Sequence, residues 1–566
     1  MINPDVDDIA AAVVPYPLEL VETYRRAGLW NTRTVAQELQ ASVDAFGAKP
    51  AVIDPLVQLS YSELGEATDR IAAGLVALGL RPGERVLFQV TNHAWAVQAW
   101  YGVLKAGLVP VATLAQHRWH EINAIALQCR PAAHLFEPEF PGHDLRALAA
   151  VVAAAHPSLR VQLTVGAASR HGGEVPIESL ADTDVSAVSS RQLVEQVQRS
   201  LSPDSVAVLQ LSGGTTSVPK LIPRLHAEYW YNSQAWAAAM NIAADSVAVH
   251  LLPLIHNAGI VCSLHAAHAV GACFATSPPD NDAFLRVASR ARITHMLMTQ
   301  PIVRVIDADP RLRAALRGLH TIAWADRTVP PSVVEDFETS TCKVIQMFGM
   351  GEGMCLFTSR DAPAAVRHGT QGTPVSAHDE ARVYEPGTEN PVPPGQPGEL
   401  CVRGPYTIRG YYAAPERNAQ AFTSDGLYRT GDVVTEIQHD GRSYFRLEDR
   451  IKDLINRGGE KINAEEVERL LLEHPDIERV AVVAMPDERL GERACAFVIT
   501  RPDAHALDLS TITGLLHARG VAKFKWPERL EIRTDLPLTD IHKVNKAILR
   551  QQIADILTRE DMAHAP

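Results

Sequence analysis

The run Leu211-Ser212-Gly213-Gly214-Thr215-Thr216-Ser217-Val218-Pro219-Lys220 restricts this chain more than any other stretch. Glycines and hydroxyls this dense make a flexible anion cradle, in which backbone N–H groups converge without a Cβ in the way. The hydroxyls add donors and Lys220 neutralises charge, so the loop suits a polyphosphate. It is not a Walker loop. No Gly-Lys-Ser/Thr triplet follows the glycines, and Pro219 stands where a phosphate-capping helix would have to start. A Ser/Gly/Thr surface loop has the same composition, so the reading depends on what else the chain carries.

At 566 residues the chain exceeds the size at which one hydrophobic core keeps growing, so at least two domains are expected. Apolar residues at 46% and charged residues at 21% match an ordinary soluble globular protein. The formal charge of -13 argues against a nucleic-acid partner, which needs a basic face. Seven cysteines (Cys129, Cys262, Cys273, Cys342, Cys355, Cys401, Cys495) are scattered, odd in number and without a CxxC pair. They read as reduced thiols of a cytoplasmic protein rather than as a disulfide framework or a zinc site. The start of the chain is acidic where a signal peptide would be basic. The longest apolar stretch, 258–276, contains His265 and His268 and suits a buried element better than a membrane span. That HxxH pair has no further ligand cluster beside it and reads as core histidine rather than metal site.

Helical and strand-like patterns alternate through the first two-thirds. Residues 61–80 carry apolar positions at helical spacing and end at Pro82-Gly83, and a short strand follows over 85–90. Such alternation predicts α/β layers with largely parallel sheets. The Pro/Gly-rich segment 385–398 marks a turn region opening a β-rich subdomain. Beyond Arg450 a charged, glycine-containing segment leads to a helix over 464–473.

Downstream of the anion loop come Phe348-Gly349-Met350-Gly351-Glu352-Gly353, Gly398-Glu399-Leu400-Cys401-Val402-Arg403-Gly404, Tyr428-Arg429-Thr430-Gly431-Asp432, the stretch from Asp449-Arg450 to Gly458-Gly459-Glu460-Lys461, and Pro537-Leu538-Thr539-Asp540-Ile541-His542-Lys543. This ordered set resembles the adenylate-forming superfamily, which includes acyl- and aryl-CoA synthetases, adenylation domains of nonribosomal peptide synthetases, and luciferases. The resemblance implies an α/β fold: a large N-terminal core of several subdomains with layered sheets (1–449) and a small mobile α+β C-terminal domain (450–566), hinged at Lys452. It also implies ATP and Mg²⁺.

Activating a carboxylate with ATP requires the acid oxygen to attack the α-phosphorus while pyrophosphate leaves. By resemblance, Ser212, Gly213, Gly214, Thr215, Thr216 and Lys220 cradle the phosphates, and Phe348 belongs to the nucleotide site. Glu352 helps hold Mg²⁺, a hard cation that prefers oxygen ligands. Asp432 accepts from the ribose hydroxyls, and Arg450 reaches ribose and phosphate. Lys543 swings in to bridge carboxylate and α-phosphate, with Lys546 a nearby competitor for that role. After rotation of the C-terminal domain, the loop at Arg457, Gly458 and Gly459 faces the site while the acyl group passes to a phosphopantetheine thiol.

Within the superfamily the chain looks most like stand-alone aryl-acid adenylating enzymes that load siderophore-type carrier proteins. Val14-Pro15-Tyr16-Pro17, Lys220-Leu221-Ile222-Pro223-Arg224 and 403–412 resemble their signatures. His256-Asn257 matches their His-Asn pair, whose amide recognises the substituent ortho to the carboxylate. The aromatic residue and proline usual next are Ala258 and Gly259 here. Cys262 stands where 2,3-dihydroxybenzoate enzymes carry serine, and a thiol satisfies a 3-hydroxyl poorly. Trp324 lies where relatives have a Gly-Gly-Ala/Ser run, and with Met347 and Gly349 it is expected to reshape the acid pocket. These departures imply salicylate or an unusual heteroaromatic or bicyclic acid rather than 2,3-dihydroxybenzoate. The expected acceptor is an acidic carrier protein in trans, and the basic-leaning segment from His517 and Arg519 through Lys523, Lys525 and Arg529 suits it, though an ordinary charged face fits it equally. The rival readings are an aryl-CoA synthetase using free coenzyme A and a non-catalytic adenylate-binding homologue.

Overall fold

A computed structural model describes residues 9–166, 172–182, 186–212, 219–326, 329–450, 454–501, 504, 507–537 and 544–564. Local chemistry sets the elements. Helix Tyr61–Ala77 starts at Ser60, whose side chain accepts from the Glu63 N–H while Glu63 reaches back to the Ser60 backbone. This reciprocal cap satisfies two donors that a helix start leaves open. The chain leaves that helix through Gly79 in the left-handed region, φ +81°, and enters strand Arg85–Gln89.

Among the described residues four sheets form. One holds strands 175–176, 161–164, 133–136, 85–89, 109–111, 206–211 and 221–225, all parallel except the closing hairpin. A second runs through 373–374, 355–357, 343–349, 321–324, 295–298, 247–250, 273–276, 50–53 and 58–60, with parallel strands in its centre. Parallel strands need cover on both faces. Helices Tyr61–Ala77, Ala94–Lys105 and His226–Met240 share one continuous core with the inner faces of both sheets, burying Tyr61, Trp100, Tyr229 and Trp236, while Trp119–Cys129 and Leu145–Ala155 cover the other face of the first sheet and Asn281–Arg290 and Gln300–Ala308 that of the second. The third sheet is an antiparallel unit of 380–384, 397–403, 428–439 and 442–450. The fourth, built from 454–463, 477–500 and 529–532, has a separate core with helix Ala464–Leu471.

His265 and His268 belong to the main core. Trp100 donates to His265 Nε2 at 3.0 Å, Tyr101 Oη lies 2.8 Å from His268 Nδ1, and His268 Nε2 lies 3.0 Å from Ala51 O. Burial lowers both imidazoles, His268 to about 4, so they pack as neutral rings. All seven cysteines are free and buried, and among the described residues no helix is long and apolar enough to cross a membrane.

Candidate active site

Strands Val206–Leu211 and Leu221–Leu225 form an antiparallel hairpin, closed beyond the last pair by Ser212 N–H donating to Lys220 O at 3.1 Å. The hairpin holds the two ends of the anion loop together, while Gly213, Gly214, Thr215 and Thr216 lie outside the described residues. Among the described residues Ser212 Oγ is buried without a hydrogen-bond partner, which suits an anion arriving from outside the protein. Lys220 Nζ sits 4.7 Å from the centre of the Tyr411 ring.

Tyr411 leads to the metal candidate. Its hydroxyl donates to Glu352 Oε1 at 2.6 Å, and the Tyr428 hydroxyl donates to the same oxygen at 3.1 Å. Burial, then the Glu352 charge, pushes both phenols well up, so they remain donors. Two phenols gripping one oxygen orient the carboxylate and leave Oε2 to meet a hard cation. That donor set fits Mg²⁺, which takes one or two carboxylates and completes its shell with substrate phosphates. The turn that carries Glu352 depends on Gly353: its φ is +121°, and a Cβ there would come 1.6 Å from Tyr406 O.

The acid loop sits on the other side of a buried cation. Arg224, fully buried and paired with Glu228 at 2.8 Å, donates from Nη1 to Asn257 Oδ1 at 3.3 Å and to Gly351 O at 3.0 Å. One guanidinium thereby fixes the Asn257 amide relative to the residue just before Glu352. His256 and Ala258 are half-buried beside it. Gly259 explains the lost proline: a Cβ at that position already meets Leu254 O at 2.2 Å. Cys262 follows on a π-helical turn, Ile260–His265, a local widening common at functional sites. A hydrogen bond with Cys355 and burial hold the Cys262 thiol well above its usual range.

Strand alternation then corrects one expectation. Met347 packs in the same core cluster as Cys262 and Ala323, whereas Trp324, 1% exposed, packs in a different cluster with Met298, Val329 and Val333. Successive side chains of a strand point to opposite faces, so on Thr321–Trp324 it is Ala323 that faces the pocket side. Trp324 is a core residue of the other face and does not line the acid pocket. Phe348 likewise turns away from Met347, toward the Tyr411 and Tyr428 cluster, and Gly349 is exposed at the strand end.

Asp432, buried, lies opposite Arg450 on adjacent antiparallel strands. The Arg450 side chain, Lys452 and Lys543 lie outside the described residues. Asn545 N–H donates to Pro537 O at 2.7 Å, joining the two flanks of the Lys543 segment. Lys546 pairs with Glu468 at 2.7 Å within the C-terminal unit.

The Arg457-Gly458-Gly459-Glu460 turn stands at the mouth of the acid loop. A Cβ on Gly459 would come 4.0 Å from Leu252, His256 Nε2 lies 3.7 Å from Glu460 Oε2, and Asn456 Nδ2 donates to Asp326 Oδ1 at 3.4 Å. Next to it a groove of about 570 Å³ is lined by Arg457, Arg493, Lys523, Phe524 and Trp526. The basic segment beyond residue 517 is less open than its sequence suggests. Lys523 is exposed, but Arg519 pairs with Glu473, Arg529 with Glu531 and Glu560, and Lys525 is buried.

Tyr411, Tyr428 and Arg224 each stand inside a recognisable motif, yet nothing in the sequence marks them as working residues. Their roles arise from partners in other segments, and no spacing reports those.

The hairpin-closed glycine loop, the gripped carboxylate and the adjoining Asn257 amide suit an adenylate-forming site. The chain belongs to the AMP-binding enzyme family, matching it over residues 39–412 and matching the AMP-binding enzyme C-terminal domain over 466–543. It is 38% identical to pyochelin synthase PchD of Pseudomonas aeruginosa (95% of this chain, 96% of the relative). Identity is 36% to the 2,3-dihydroxybenzoate-AMP ligase of Bacillus subtilis (96% and 98%). It is 35% to the salicyl-AMP ligase / salicyl-S-ArCP synthetase of Mycobacterium tuberculosis (97% and 96%). The apo structure of Mycobacterium smegmatis MbtA is similar, with TM-score 0.71 and 33% identity, covering 96% of this chain and 99% of that one.

Proposed function

We propose that this chain activates an aryl carboxylic acid with ATP and passes the acyl group to the phosphopantetheine thiol of a carrier protein in trans, in the cytoplasm. The observation that carries it is the Arg224 bridge, which sets the Asn257 amide and the Glu352 carboxylate in one frame. In the first step the acid oxygen attacks the α-phosphorus and pyrophosphate leaves. Lys220 and the anion loop hold the departing phosphates, Asp432 and Arg450 the ribose, and Lys543 neutralises charge between carboxylate and phosphate. Mg²⁺ at Glu352 supplies further charge neutralisation on the phosphates. In the second step the thiol displaces AMP from the acyl carbon, forming the thioester. The C-terminal unit, 450–566 pivoting at Lys452, alternates between the two steps. The Gly458-Gly459 turn at the acid loop supports this, as does the adjoining cationic and aromatic groove, which suits a phosphorylated thiol carrier.

Asn257 narrows the acid. A guanidinium only donates, so the amide oxygen faces Arg224 and the NH₂ is left to donate, with a single 3.5 Å contact, to Met350 O, among the described residues. The site therefore favours an ortho acceptor, a hydroxyl oxygen or a ring nitrogen. Cys262, kept as a neutral thiol, offers little to a 3-hydroxyl, and Ala258 leaves room for a larger ring. Salicylate is the simplest substrate, with a heteroaromatic or bicyclic acid the variant that Ala258 favours. Acid-dependent ATP–pyrophosphate exchange across benzoate, salicylate, 2,3-dihydroxybenzoate, picolinate, quinaldate and anthranilate tests this. Salicylate or the ring-nitrogen acids should lead and anthranilate should trail. A clear optimum on 2,3-dihydroxybenzoate sinks the pocket argument, and no exchange with any acid sinks the ligase reading. Thioester formation with coenzyme A but not with carrier protein would make the chain an aryl-CoA synthetase.

A further inference from the structure

Lys525, which the sequence offers as a docking residue, is buried between two carboxylates from different parts of the molecule. Its Nζ lies 3.1 Å from Glu121 Oε1, on the first turn of helix Trp119–Cys129 in the large N-terminal unit, and 2.9 Å from Glu466 Oε1, on helix Ala464–Leu471 of the C-terminal unit. All three side chains are at most 6% exposed. The contacts around them cross the same boundary. Ala522 N–H donates to Glu121 Oε1 at 3.1 Å, His120 N–H donates to Gly520 O at 3.1 Å, and His120 Nε2 lies 3.2 Å from Glu466 Oε1. The Arg118 guanidinium lies 5.4 Å from the Trp526 ring centre. Gly520, φ +64°, passes so close to Trp119 that a Cβ would come within 3.0 Å of the Trp119 Cβ.

We propose that the Glu121–Lys525–Glu466 bridge is an orientation latch, with Glu121 a positioning residue that holds the C-terminal unit in the thiol-transfer arrangement. The proposal rests on the two-step reading above. In this docked arrangement the Gly458-Gly459 turn stands at the acid loop, so whatever favours docking favours presentation of that turn.

The chemistry makes the latch reversible. When the C-terminal unit leaves, Lys525 takes Glu466 with it. Glu121 stays behind, with Oε2 still accepting the Arg118 N–H of its own helix start at 3.0 Å. Neither unit is left with an unpaired buried charge, because Glu121 Oε1 returns to water. A buried ion pair contributes little net stability, since desolvation offsets much of its attraction, yet deleting one partner while the other stays buried is costly. Such a contact selects one geometry without freezing it, as a unit that must alternate requires.

The test compares the unsubstituted protein with Glu121→Gln, Lys525→Met and the double variant, using salicylate, ATP and two acceptors: coenzyme A and a phosphopantetheinylated aryl carrier protein. For Glu121→Gln, single-turnover transfer from preformed adenylate should fall at least about 10-fold, while pyrophosphate exchange stays within about twofold. The double variant should transfer no more slowly than Lys525→Met alone, because both remove the same contact. Amide hydrogen exchange gives a readout independent of turnover. In Glu121→Gln the His120 and Ala522 amides should lose protection, while Val482 and Ala496, inside the C-terminal core, keep theirs. Equal slowing of both half-reactions, unchanged transfer, or unchanged protection at Ala522 overturns the latch. Should the unsubstituted protein show no exchange with any aryl acid, the ligase reading fails instead, and the Ala522 protection still decides the latch.

Discussion

Tyr411→Phe isolates the grip on Glu352. The substitution deletes one hydroxyl, which donates at 2.6 Å to a carboxylate oxygen, and keeps the ring face on which Lys220 rests at 4.7 Å. Tyr411 is 1% exposed, so water does not readily replace the lost donor. A hydrogen bond to a charged group contributes about 1.5–3 kcal/mol, or roughly 10- to 150-fold in rate if the whole amount is needed in the transition state. Tyr428 moderates this. Its hydroxyl contacts Glu352 Oε1 at 3.1 Å and Tyr411 Oη at 2.7 Å, and freed of the second contact it can commit to the carboxylate. The expected fall in maximal pyrophosphate exchange is therefore near the lower end, about 10-fold. A rise in the Mg²⁺ concentration for half-maximal rate should accompany it, with KM for the aryl acid unchanged. The assay is exchange measured as a function of Mg²⁺ at saturating acid, with Tyr428→Phe as the comparison of smaller effect. An unchanged rate and an unchanged Mg²⁺ dependence would refute the assignment of Glu352 as the metal-holding carboxylate oriented by Tyr411. A fall confined to KM for the acid would place Tyr411 in the wrong pocket.

Trp324→Phe should leave the ranking of aryl acids within about twofold, and its stability cost should be small, because the lost packing is partly offset by removal of an indole N–H that is buried without a partner among the described residues; Ala323→Val, by contrast, should depress exchange with bicyclic acids more than with benzoate. Asp379 makes stability depend on pH. Burial raises its carboxyl from 3.8 to about 7, so the native state holds a proton that the unfolded chain releases. Stability then falls as pH rises from about 4 to 7, by as much as about 4 kcal/mol. Asp379→Asn should gain thermal stability on the unsubstituted protein across that window, read as the difference between two Tm-against-pH curves; parallel curves would show that the carboxyl does not carry the proton.

What the chain declares in one dimension is what its chemistry demands over short spans. An anion loop needs its glycines and hydroxyls side by side, so 211–220 is legible, and the Glu352 turn needs Gly351 and Gly353 flanking its carboxylate. Helix Tyr61–Ala77 and strand Arg85–Gln89 fall within a few residues of the spans 61–80 and 85–90, because periodicity and caps are local. Only the tertiary structure decided which face of a strand meets the pocket. A shift of one residue exchanges Ala323 for Trp324 and reverses the meaning of the indole, since strand side chains alternate. Nor does spacing reveal the role of Arg224, whose partners lie in separate segments, or that Ala522 would donate to Glu121 across 401 positions. A side chain's work depends on its neighbours in space, and a buried charge shows its purpose only once the groups that neutralise it are in place.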